Sequence, residues 1–99
     1  MNLTEAKRLF FKLRAQNQID ICEEHITGDH PEREYTFDEV VSLVKAPGVL
    51  QDTNDPVFSG ERFYWRTKDV LERNIRLVVE FEQDENGQLI LVISAGERT

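Results

Sequence analysis

An α+β fold, with two helices packed on a mainly antiparallel sheet of three to five strands, is what this sequence predicts. Three observations predict it. Three strand-like runs, Glu61–Thr67, Ile75–Glu82 and Gln88–Ala95, follow one another in the last third of the chain. The last two are joined by Asp84-Glu85-Asn86-Gly87, and Asn-Gly is the strongest short-range hairpin signal because both residues accept positive φ. Two earlier stretches place apolar residues at helical spacing instead. Ninety-nine residues fit one domain, 1–99, with a single modest core.

Taken in order, residues 4–16 read as the first helix. Ala6, Leu9, Phe10 and Leu13 fall at i, i+3, i+4 and i+7, with Thr4 as the expected N-cap. Ile19-Asp20-Ile21-Cys22-Glu23 fits either a short strand or the start of a further helical turn. Gly28 and Pro31 then break the chain. The second helix opens on Thr36-Phe37-Asp38-Glu39, a capping box in which hydroxyl and carboxylate each satisfy an orphan amide. Phe37, Val40, Val41 and Val44 continue it, and Ala46-Pro47-Gly48 ends it. Val49–Asp52 reads as a short strand. The link from Thr67 to Asn74 is charged, with Val70 and Leu71 as expected core contacts.

Alternation sorts the strand residues onto two faces. Phe63 and Trp65 share one face of their run, opposite Arg62, Tyr64 and Arg66. Ile75, Leu77, Val79 and Phe81 share one face of the next, opposite Arg76, Val78, Glu80 and Glu82. The sheet is therefore expected to have an apolar face and a face carrying three arginines.

Charge bounds the partners. The net charge is −7, which disfavours broad nucleic-acid affinity because neutralising phosphates takes clustered Lys and Arg. No apolar run approaches the roughly 18 residues of a membrane span, and the first residues have no signal-peptide layout. The expectation is a cytoplasmic protein without membrane contact. The single cysteine, Cys22, precludes an internal disulfide and is expected to be structural. His25 and His30 stand five residues apart among acidic residues, a spacing interrupted by Gly28 that offers no metal framework. No cofactor is expected, since the chain holds no phosphate-binding glycine loop, nucleophile elbow or dinucleotide fingerprint.

The chemistry that remains lies on the arginine face. Arg62, Arg66 and Arg76 would suit phosphate, which guanidinium groups bind bidentately, if their strands bring them together. Tyr64 or His30 would move a proton and Ser94 would orient a substrate, a set suited to metal-independent RNA cleavage. The other reading is structural: Arg62 and Arg76 form cross-strand pairs with Glu61, Glu80 or Glu82.

Some segments also resemble a known family. Phe37-Asp38-Glu39-Val40 opening a helix, Gly60-Glu61-Arg62-Phe63 entering a strand and Ile93-Ser94-Ala95 closing the sheet are similar to segments of small RelE-superfamily proteins. The likeness is to BrnT-like toxins and related bacterial or phage domains, and His25–Glu32 resembles a His-containing motif of those relatives. The resemblance spans roughly residues 20–98. It implies ribonuclease activity held in check by an antitoxin-like protein partner, with His25 or His30, Arg62 and Ser94 at the site. Two features depart from it. Such toxins are usually basic, and Gly96 stands where BrnT-like proteins carry an arginine, with Arg98 as the nearest substitute, so the resemblance is equally compatible with an inactive relative that keeps the fold. The alternative is a non-enzymatic protein-interaction module with an acidic surface.

Overall fold

The computed structural model describes residues 1–21, 36–53 and 61–98, the last with side chains through Ile93. Helix α1 spans Leu3–Ala15 and β1 spans Ile19–Ile21; α2 spans Phe37–Lys45 and β2 Gly48–Asp52. Strands β3, Arg62–Lys68, β4, Asn74–Gln83, and β5, Leu89–Arg98, are the remaining elements among the described residues. The five strands form one sheet in the order β1-β5-β4-β3-β2. Three of its pairings are antiparallel, and only β1 with β5 is parallel. The α+β expectation holds. No helix among the described residues is long and apolar enough to cross a membrane.

Local chemistry sets the element ends. The N-cap of α1 is Asn2 rather than Thr4: its Oδ1 accepts the Glu5 N–H at 2.9 Å, one of the donors a helix start leaves orphaned. The helix stops where Asn17 adopts φ 56°, a left-handed position that Asn tolerates, and Gln18 N–H returns to the Leu13 carbonyl at 2.9 Å. The capping box of α2 forms as read: the Glu39 N–H donates to Thr36 Oγ1 at 3.2 Å and the Thr36 N–H to Glu39 Oε1 at 3.3 Å. The hairpin between β4 and β5 forms too, but only Gly87 takes positive φ (77°). Asp84 accounts for the difference. Its Oδ1 accepts the N–H groups of Asn86 and Gln88, which supports a type I turn closed by one left-handed glycine.

Both helices cover the same sheet face. Ala6, Phe10 and Leu13 of α1 and Val40, Leu43 and Val44 of α2 meet Leu50, Phe63, Trp65, Ile75, Leu77, Val79, Leu91 and Ile93. Trp65 lies at the centre, its ring 4.4 Å from that of Phe10. It also ties α2 down, because its Nε1–H donates to the Leu43 carbonyl at 2.9 Å, an acceptor the helix end leaves open. Gly48 is required beside it. A Cβ there would stand 2.4 Å from the Arg66 carbonyl and 2.9 Å from Trp65 Cζ2, so a larger residue would push β2 off β3.

Candidate functional site

Of the side chains singled out in the sequence, Arg62, Tyr64, Arg66 and Arg76 lie on the face turned away from the helices. β3 and β4 pair with Arg62 opposite Glu80, Tyr64 opposite Val78 and Arg66 opposite Arg76. This register decides the arginine question. Arg66 and Arg76 are cross-strand neighbours, whereas Arg62 sits about 13 Å further along β3 at the usual strand rise. The three do not converge on one point.

Two of them are engaged with their own sheet. Arg62 Nε lies 2.8 Å from Glu80 Oε1, in a pair whose side chains are 43% and 22% exposed. The Arg76 guanidinium stands 4.4 Å over the Tyr64 ring, a cation–π arrangement that covers one face of the phenol. Arg66 is exposed. Beside it, a recess of about 390 Å³ is lined by Arg66, Lys68 and Asn74. The Arg62–Glu80 pair is the cross-strand arrangement anticipated as the structural alternative.

The last strand alters the row further. Val78 pairs with Ala95 and Val79 with Ile93, so Ser94 is the extra residue of a β-bulge. Past the bulge the alternation shifts by one. Glu97 takes the register position across from Arg76, and Arg98 the position across from Ile75. Arg98 therefore takes a register position outside the Arg66–Arg76 row. His25, His30 and Cys22 lie outside the described residues.

A second surface was not anticipated. Val70 and Leu71, expected to touch the core, project from the β3–β4 loop at 97% and 69% exposure. The loop that carries them is tightly pinned. Asp69 Oδ1 accepts the N–H groups of Leu71 and Arg73, both at 2.9 Å, and its Oδ2 takes the Arg73 Nε–H at 2.7 Å. The backbone closes the same turn through Asp69 N–H to the Arg73 carbonyl and Glu72 N–H to the Asp69 carbonyl. Glu72 adopts φ 60° to make it. Desolvation pushes the Asp69 carboxyl up, but the hydrogen bonds and charge of Arg73, with the Leu71 N–H, outweigh it and hold the group below its ordinary value.

Alongside the loop, a recess of about 320 Å³ runs between α2 and the β3–β4 connection. Leu43 and Ala46 are among its apolar walls, and its lining carries charges of both signs, Glu39 and Asp69 with Lys68 and Arg73. The sequence held one signal for this loop. An Asp followed by two aliphatics inside a charged link fits an Asx-turn, since Asp side chains bond backbone amides two residues on. The charge is also segregated along the strands. Residues 66–76 carry four basic groups against two acidic, whereas 77–85 carry four acidic and no basic groups. Compared with protein-family models, curated proteins and solved structures, the chain matches none.

Proposed function

We propose that this chain is a non-enzymatic protein-interaction module whose contact surface is the Asp69-pinned loop and the recess beside it. The observation that supports this reading is the fixed display of Val70 and Leu71. Two adjacent aliphatics exposed on a loop already held in one conformation avoid the ordering cost that a mobile loop pays on binding. An apolar centre with charged residues at its margin is the arrangement in which a few buried anchors carry most of a protein–protein contact. The net charge of −7 favours a protein partner over RNA.

The test uses a photoreactive residue placed at position 71 or, as a control, at position 85 of the full chain expressed in cells. Discrete protein adducts from position 71, and none from position 85, are the expected result. Growth and total RNA should remain unchanged on expression of wild type and of Arg62→Ala alike.

A second reading keeps the RelE/BrnT-like ancestry and RNA cleavage. It is favoured by Arg66, Lys68 and Asn74 around the 390 Å³ recess, a place where a phosphate would meet two cations. RNA cleavage by wild type that is lost in Arg66→Ala would decide for this reading and against the interaction module.

A further inference from the structure

We propose that the partner of this surface is a second copy of the same chain, seated across a twofold axis so that Val70 and Leu71 of each copy enter the recess of the other. The inference rests on reading the patch as a protein-contact surface. The patch is also self-complementary.

A twofold interface uses one patch on both copies, so that patch must carry each feature together with its counterpart. This one does. The apolar projection and the apolar recess share an edge, because Val70 both protrudes and forms part of the recess wall. Half-buried Ala46 is apolar surface for an incoming aliphatic to cover, with the buried Leu43 contributing only its outer edge to the recess wall. Four charged residues line the recess, and since Asp69 and Arg73 are bonded to each other, Glu39 and Lys68 remain, so Glu39 of each copy can face Lys68 of the other. Engagement in the capping box leaves the Glu39 carboxylate with acceptor capacity to spare. A partner unrelated to this chain would need no such internal matching.

Charge placement removes the main objection, that two chains of net charge −7 should repel. The loop and its flanking strand ends, residues 66–76, are net basic, while Glu80, Glu82, Asp84 and Glu85 lie toward the opposite end of the strands. Two copies meeting at the loop keep those carboxylates apart. At physiological salt the Debye length is about 8 Å, which screens repulsion between distant ends.

The test is sedimentation equilibrium of the purified full chain from about 10 μM to about 1 mM, a range that captures weak association. Wild type should pass from monomer to dimer with concentration. Val70→Asp should raise the dissociation constant about a hundredfold, since each dimer buries two valines worth at least about tenfold each. Val70 is almost fully exposed, so this change does not threaten the fold. Asn86→Asp adds the same charge at the β4–β5 turn, where Asp-Gly serves as well as Asn-Gly, and should leave association unchanged. A wild type that stays monomeric at about 1 mM, or a Val70→Asp variant that dimerises like wild type, overturns the inference. Adducts from position 71 to other proteins, alongside a monomeric purified chain, overturn the second-copy assignment while leaving the interaction reading in place.

Discussion

Replacing Trp65 with Phe isolates the contact that ties α2 to the sheet. Trp65 is fully buried and its Nε1–H donates to the Leu43 carbonyl at 2.9 Å. Phenylalanine keeps an aromatic ring against Phe10, which now lies 4.4 Å from the indole, and removes the donor. A buried carbonyl left without its partner costs about 1–3 kcal/mol. The lost part of the indole, roughly 40 Å² of apolar surface, adds about 1 kcal/mol. The expected loss is therefore about 2–4 kcal/mol, a large share of the roughly 5–15 kcal/mol that holds a domain folded. For a chain of this size that corresponds to a fall in Tm on the order of 10–25 °C. Urea unfolding followed by far-ultraviolet circular dichroism measures it. Fluorescence is unsuitable because Trp65 is the only tryptophan. A loss below about 1 kcal/mol would refute the reasoning, since it would mean that the end of α2 does not depend on the indole donor.

Three further outcomes are expected. A double-mutant cycle on Arg62→Ala and Glu80→Ala should give a coupling of about 0.2–1 kcal/mol that shrinks with added salt, because solvent reaches both members of the pair; zero coupling at low salt would show that the pair does not hold the arginine. The Asp69 carboxyl has a folded value below its ordinary 3.8, so its contribution to loop order is complete above that value and is lost as pH falls through the lower folded one. Amide exchange at Leu71 and Arg73 should accordingly accelerate in strong acid and, at neutral pH, in Asp69→Asn; unchanged exchange in the variant would count against the pinned loop. Gly48→Ala should destabilise the chain by more than about 2 kcal/mol, because the added carbon meets the Arg66 backbone carbonyl, which cannot move aside as a flexible side chain would. A calorimetric Tm equal to wild type would contradict that geometry.

The parts of this fold that could be read in the sequence are those governed by neighbours along the chain. The capping box at Thr36, the helical spacing of Ala6, Phe10 and Leu13, and the alternation of Phe63 with Trp65 are all short-range patterns. The structure reproduces each. Where short-range signals competed, the nearer hydrogen bond won, as at Asn2, whose Oδ1 caps the first helix ahead of Thr4. At the hairpin, Asp84 chose a turn with one left-handed residue where the Asn-Gly pair alone suggested two.

The candidate site was less legible because its meaning depends on register, which no local pattern carries. Alternation alone placed Arg62, Tyr64, Arg66 and Arg76 on one face. It did not show that Arg62 faces Glu80 while Arg66 faces Arg76, and that pairing separates the arginines instead of gathering them. Ser94 illustrates the same limit: one extra residue in β5 moves Arg98 out of the Arg66–Arg76 row and brings Glu97 across from Arg76. Val70 and Leu71 show it from the other side. Composition marks them as core candidates, yet the five-residue connection Asp69–Arg73 is closed by bonds to the Asp69 carboxylate and leaves both side chains outside.

The sequence by itself thus determined the two helices, the four later strands and the apolar sheet face, because helix spacing, strand alternation and caps act between residues a few positions apart. Only the tertiary structure decided which charges meet across the sheet, where the bulge falls and which aliphatics stay exposed. Those outcomes depend on the pairing of distant strands, and a shift of one residue in that pairing exchanges the two faces.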